Sequence, residues 1–536
     1  MMKTASAPRW PGVPDVFSDR FSGLCTAAIA GWDRLRLRGS LRPLFSPNWM
    51  MGYLRAARVK LTDFKGFAQS LSQQVVDAAK AAAAQARRPY LFVRSSLTDK
   101  LTWARELAER DQITEGLIAV FSALQPCQAI TVRLDRGSGL LPPVVEDRKC
   151  LHLYHYLMHP TFGLCHVCVQ TWFPFTVEVW LNGRLWLARQ RDHNGLAYVR
   201  RDNCFTHLSD PLAAQALLEA QHRADWPRLL RELLRQTHPL HRAITQPLAL
   251  AYYWTVCESE FATDVLFHQP AALAPAYAHF VAHGLRTFSS PDVMRFLGHV
   301  VPATTGRVNG RFHDELTTSY RHRPEGVRLK HRVGANSIKV YDKAGSVLRV
   351  ETTLNAPEVF RVWRGQAREG KRGQAWRRLR RSVADLPARA QVSQAANRRY
   401  LEALASTRAT QPLGGAAAPL TQPVRWKGRR HRALNPLNDQ DAALLQFISR
   451  GEYTVEGFRN RDLQGALFPG PARTSRERSR RSGWAGRRLR LLRAHRLIRK
   501  GPGRHRYVVS PNGRQLLAAL LAARAADVQQ LTALAA

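Results

Sequence analysis

The spacing of apolar positions changes several times along the chain, and each change marks an element. Phe67–Arg88 is Ala-rich with helical spacing, and Tyr90–Arg94 is a short run of strand type. A helix is predicted over Thr98–Arg110, then strands over Gly116–Phe121 and Ala129–Arg133. Strands separated by helices predict an α/β layer. Leu151–Met158, Cys165–Trp172 and Thr176–Trp180 form a predicted β-meander. Asn182-Gly183, a strong two-residue turn signal, is expected to return the chain through Leu185–Leu187. After Ser209-Asp210-Pro211, helical spacing occupies about 211–300, and a further β unit covers Val327–Leu354. The interval 359–399 is expected to be helical and very basic. Thr407–Pro423, rich in Ala, Gly, Pro and Thr, is expected to be a flexible linker.

Beyond it, Asp439 is expected to cap a helix ending near Arg450, and Val455–Leu467 predicts a second. A third starts near Ser475, with Leu489, Leu491, Leu492 and Leu497 as packing positions. Two strand-like ends flank Pro502-Gly503, and a final helix follows Gly513. Helix, helix, helix, hairpin, helix, with the wording Leu489-Arg-Leu-Leu-Arg-Ala-His-Arg-Leu-Ile-Arg-Lys500 and Arg506-Tyr-Val-Val-Ser510, resembles the MarR-like bacterial winged-helix domains. Those families carry Gly where His495 or Arg496 stands here. The resemblance covers about 437–525 and implies a DNA-binding domain.

Composition then narrows the partner. The 536 residues carry 81 Lys and Arg against 40 Asp and Glu, a net charge of +41 that favours polyanions. No apolar run is long enough to span a bilayer, so no membrane partner is expected. The first 25 residues lack the apolar core of a signal peptide, and seven cysteines, an odd number, fit a reducing cytoplasm. Charge concentrates in two tracts. Arg473–Arg506 holds fourteen Arg and Lys against one acid, Glu477. Expected nucleic-acid contacts there are Arg476, Arg478, Arg480, Arg481, Arg487 and Arg488 on the third helix. Arg499, Lys500, Arg504 and Arg506 are expected on the wing. Arg361–Arg381 holds nine Arg and Lys against one acid, with Trp363 and Trp376 between them. Trp376, Arg377, Arg378, Arg380 and Arg381 are further expected contacts, with stacking on the tryptophan.

Candidate chemistry lies in Ser337–Asn355. Its Tyr341-Asp-Lys and Leu348-Arg-Val-Glu351 wording is similar to hairpins of rolling-circle replication initiators, over fewer than twenty residues. That resemblance implies Tyr341 as nucleophile and Glu351 as metal ligand, with Mg²⁺ or Mn²⁺ as cofactor. With a two-residue turn at Ala344-Gly345, Asp342, Arg349 and Glu351 share one face and Tyr341 points to the other. Arg349 between carboxylates then reads as an ion network. Glu260 and Asp264, at helical i, i+4 spacing, complete the candidate catalytic set; no metal ligand set is assigned. His152, His155, His159, Cys165, His166 and Cys168 read as structural residues of the meander, because strands place His152 and His155, and the two cysteines, on opposite faces. Walker, GxGxxG and nucleophile-elbow motifs are absent.

The expected fold is α+β and multidomain. A mixed α/β domain spans 1–147, an α+β domain with meander and hairpin 148–358, and a basic helical segment 359–406. A basic linker spans 407–432 and a winged helix 433–536. The expected function is duplex-DNA binding by a cytoplasmic regulator or mobile-element replication or transposition factor. The alternatives are a metal-dependent nicking or strand-transfer nuclease and an RNA-binding ribonucleoprotein component. Whether the chain is an enzyme stays open at this point, as does its oligomeric state.

Overall fold

A computed structural model describes the chain except residues 1–9, 11, 95–97, 138, 300–302, 305–306, 309–315, 324–325, 369–370, 406–412, 451–452, 454–456, 469, 502–504 and 526–536. The fold is α+β, as expected, with a large sheet of eleven strands. Two compact units alternate along the chain: 1–29, 263–352 and 392–536 make the first, and 30–262 and 353–391 the second. Among the described residues, no helix is long and apolar enough to cross a membrane.

The second unit takes most of strand β1 (Cys25–Ser40), an element the sequence reading missed. Helices α2 (Pro47–Ala56) and α3 (Phe64–Gln85) follow α1 (Asp15–Phe21), which belongs to the first unit. Next come β2 (Tyr90–Phe92), α4 (Lys100–Arg110) and β3 (Gly116–Val132). β2 pairs parallel with β3 through the α4 crossover, which is the expected α/β layer. The two strands expected around 116–133 are one, and it pairs antiparallel with β4 (Pro143–His159). β5 (Gly163–Gln170) and β6 (Val177–Asn182) complete the meander, and β6 pairs with β1.

Asn182-Gly183 is no hairpin turn. The Asn182 side chain accepts hydrogen bonds from the backbone N–H groups of Arg184 and Leu185, capping α5 (Gly183–His193). Gly183 packs so close to the Trp32 backbone that a Cβ would collide with its carbonyl. The turn signal marked a close backbone approach. After β7 (Tyr198–Arg201) and β8 (Cys204–Leu208) come α6 (Pro211–His222), α7 (Trp226–Thr237) and α8 (His241–Thr245).

β9 (Tyr253–Phe267) corrects the helical expectation for 211–300: this apolar, β-branched run is a strand shared by both units. α9 (Pro270–Thr287), α10 (Ser290–Leu297) and the short β10 (Ala303–Thr304) and β11 (Arg307–Val308) belong to the first unit. A four-strand antiparallel run follows: β12 (Leu316–Arg323), β13 (Gly326–Val333), β14 (Asn336–Lys343) and β15 (Val347–Thr353). Leu329, Ile338, Val340, Leu348 and Val350 alternate toward α9, α10 and α11 (Leu386–Ala405), where Phe280, Phe296 and Tyr400 close the core.

The interval expected to be a basic helix is a hairpin, β16 (Arg361–Arg368) and β17 (Lys371–Arg378), in register Trp363 against Trp376. Gly365, Gly370 and Gly373 weaken a helix there. The carboxy-terminal module has its own core of Leu420, Leu444, Phe447, Leu463, Leu489 and Leu517. It consists of α12 (Leu413–Ala417), β18 (Val424–Trp426), β19 (Arg429–His431), α13 (Asp439–Ser449), α14 (Asn460–Leu467), α15 (Ser475–Ala494), β20 (Ile498–Lys500), β21 (Tyr507–Val509) and α16 (Pro511–Ala525). Asn438, one residue before the expected Asp439, caps α13.

Candidate nucleic-acid interface

α15 is two-sided. Ala485, Leu489 and Leu492 recur at i+4 and i+3 and are buried. On the opposite side Arg476, Arg480, Gly483, Arg487 and Arg490 recur at the same spacing, and all are exposed. This stripe covers about 21 Å of helix axis at 1.5 Å per residue. Its start is built by a cap: the Thr474 hydroxyl accepts from Glu477 N–H, and Glu477 Oε2 accepts from Arg473 N–H at 2.8 Å. The Arg473 N–H and then Arg481 hold the Glu477 carboxyl below its ordinary range. The tract's one acid is therefore consumed in building the helix end.

Two expected contacts turn away from this face. Arg481 bonds Glu477 and donates to the Gly470 carbonyl at 2.8 Å. Arg488 lies 4.9 Å over the Trp484 ring and is half-buried. Both carry structural contacts, whereas Arg473 and Arg490, missed in the sequence, are exposed. Their spacing of three from Arg476 and Arg487 was the available signal. Arg478 is exposed on the flank; Arg499 and Lys500 are exposed on β20 and Arg506 is half-buried beside β21. Arg504 lies outside the described residues.

The segment expected to be a flexible basic linker supplies a further element. β18 and β19 pair through a tight turn in which Lys427 and Gly428 both have positive φ, the geometry that matches strand twist. Arg425, Lys427, Arg429 and Arg430 are exposed. Trp426 packs under Arg493 of α15 at 4.8 Å. His495, just past α15, hydrogen-bonds the Pro419 and Arg432 carbonyls at 3.2 and 2.8 Å on either side of the hairpin. Leu420 and Leu434 are buried in the module core. The hairpin is thus pinned to α15 at both ends. His495 does this anchoring.

In the second unit, Trp376, Arg377 and Arg378 of β17 are exposed. Arg380 bonds Asp385 at 2.7 Å and Arg381 approaches Glu358 at 3.5 Å.

Several of the candidate catalytic residues are held in buried polar pairs. The β14–β15 connection is three residues, with Ala344 and Gly345 both at positive φ, instead of two. One residue of slip flips every side chain. Tyr341 and Glu351 therefore share a face, contrary to expectation, and the Tyr341 hydroxyl donates to Glu351 Oε2 at 2.7 Å. Lys339 meets the other carboxylate oxygen at 2.6 Å. All three are buried. A nucleophile must reach a phosphate, and Tyr341 is 6% exposed. Asp342 lies on the helix side, where burial raises its carboxyl above the ordinary range. Asp264 forms a fully buried pair with Arg349, at 2.5 and 2.8 Å.

Glu260 and Asp264 sit on one strand, so four residues separate them by about 13 Å, too far for one ion. In the second unit, carboxylate oxygens of Asp33 and Glu260 lie within 4.8 Å of each other. Arg34 already meets Glu258 at 2.5 Å and Glu260 at 3.1 Å, and Asn203 donates to Asp33 at 2.7 Å.

The His and Cys residues of the meander lie on strands β4 and β5, as expected. Burial pushes His155 and His166 down to about 4 and Cys165 and Cys168 up to about 12.

Compared with protein-family models, curated proteins and solved structures, the chain gives no match.

Proposed function

We propose that the chain binds duplex DNA through its carboxy-terminal module, a winged helix in which α15 is the recognition helix. The single observation that carries this reading is the outward stripe of Arg476, Arg480, Arg487 and Arg490 opposite a buried apolar stripe on one helix. A helix fits the major groove of B-form DNA, where arginine forks match guanine edges and phosphates. A Cβ at Gly483, in the middle of the stripe, would meet only the Arg487 side chain, at 3.7 Å. Two basic hairpins flank the helix in sequence, β18–β19 before it and β20–β21 after it, and they supply backbone contacts. Double-stranded RNA fits poorly, because its deep, narrow major groove does not admit a helix. The nicking alternative gains nothing from Tyr341 and Glu351, whose burial keeps both from a phosphate.

Titrating full-length protein against a duplex at increasing salt tests the reading. Several cation–phosphate contacts predict that log K falls with log salt at a slope steeper than about −4. A slope near zero overturns it.

A further inference from the structure

We propose that the first unit carries a second nucleic-acid site, separate from the module: a cationic face on β12 and β13 that holds one polynucleotide strand by its phosphates. Neither strand contains an acid. Arg328, Lys330 and Arg332 alternate along β13, so their side chains leave one face at about 6.6 Å intervals. Their cross-strand partners on β12 are Arg321, Ser319 and Thr317. Cations directly beside hydroxyl groups form the donor set that proteins use on phosphate oxygens. Arg321, Arg332 and Thr317 are exposed, and Arg328, Lys330 and Ser319 are half-buried.

Three features separate this face from ordinary surface charge. First, β12 is a sheet edge, where charge guards against unwanted pairing, but β13 is paired on both sides. Edge protection therefore leaves the β13 cations unexplained. Second, like charges stand directly opposite: Arg321 faces Arg328. Such pairs destabilise a sheet unless an anion offsets them. Third, Arg328 Nε is buried with no hydrogen-bond partner.

The occupant follows from shape and chemistry. The β13 row is about 13 Å long and β12 lies about 5 Å beside it. A flat patch of that size meets one backbone more readily than the convex surface of a rigid duplex. Tyr341, the aromatic residue on this face, is buried, so bases have no stacking platform. The site therefore reads phosphate without sequence preference, and its affinity depends on salt.

The test uses full-length protein and an oligothymidylate of about twenty nucleotides, followed by fluorescence anisotropy at low salt. Replacing Arg321, Arg328 and Arg332 together with alanine is expected to weaken strand binding at least about tenfold and to reduce the salt slope by about 2. Replacing the same three with lysine is expected to keep most of the affinity, which separates lost charge from damaged packing. Duplex binding by the alanine variant should match wild type, showing an intact module. Conversely, Arg476→Ala, Arg480→Ala and Arg487→Ala on α15 should leave strand binding within about threefold while duplex binding falls. Oligouridylate should bind within a few-fold of oligothymidylate, since no contact reads the sugar. Wild-type strand affinity in the Arg321/Arg328/Arg332 alanine variant overturns the proposal, as does strand binding that disappears with the α15 substitutions instead.

Discussion

Replacing Arg476, Arg480 and Arg487 with alanine is expected to lower duplex affinity at least about hundredfold at physiological salt. Each good arginine contact to a base edge or phosphate contributes about 1–3 kcal/mol. Three contacts at the low end come to about 3 kcal/mol, and each 1.4 kcal/mol is a factor of ten. The salt slope should also become shallower by about 2 to 3, as each lost phosphate contact removes about 0.9. Stability should change little, because all three side chains are exposed and none packs in the module core. The matched control is Arg481→Ala. That change removes the Glu477 partner and the Gly470 contact, and it should lower the melting temperature more than the affinity. Equal losses of affinity in the two variants would mean that the helix face has been misassigned.

The second large effect is on folding. Asp264→Ala leaves the Arg349 guanidinium fully buried without its bidentate carboxylate. Removing one partner of a buried ion pair costs about 3–5 kcal/mol, since the remaining charge has lost its solvation and its counter-ion. For a unit of this size that lowers the melting temperature by roughly 6–20 °C. Replacing both partners with apolar residues of similar volume, Asp264→Leu with Arg349→Met, should recover most of the loss. Calorimetry on the three variants checks the order. A near-neutral Asp264→Ala would show that Arg349 is neither buried nor dependent on that carboxylate.

Much of the interface was legible because helical spacing and charge coincide in Arg473–Arg506. What periodicity could not supply was direction. Arg481 and Arg488 carry the same charge as their neighbours, yet Glu477 and the Trp484 ring draw them into the module. The three-residue connection after Lys343 is another such case. Ala344-Gly345 signals a turn, but only the extra residue, Ser346, decides which face Tyr341 takes. Glu260 and Asp264 fit helical and strand spacing equally well in a short window; the β-branched and aromatic residues of Tyr253–Phe267 decide for a strand. Asn182-Gly183 carries identical residues for a hairpin and for a helix cap, and only the nearby Trp32 backbone distinguishes them.

Composition misled in two basic stretches. Arg361–Arg378 is nearly symmetric about Glu369-Gly370, with tryptophans in register, and that symmetry was a hairpin signal hidden under the arginine count. Val424–His431 follows a low-complexity run, and its Lys427-Gly428 turn was lost among the linker residues. The alternation of Arg328, Lys330 and Arg332 was likewise visible, but as strand chemistry it acquires meaning only beside the register of β12.

In the proposed complex, α15 and its flanking hairpins lie on the DNA. Photo-crosslinking full-length protein to a duplex, followed by peptide mapping, tests it most directly. Crosslinks are expected in 473–490, with weaker ones in 425–430 and 499–506. Crosslinks confined to other parts of the chain, with these three segments unmarked, would contradict the account.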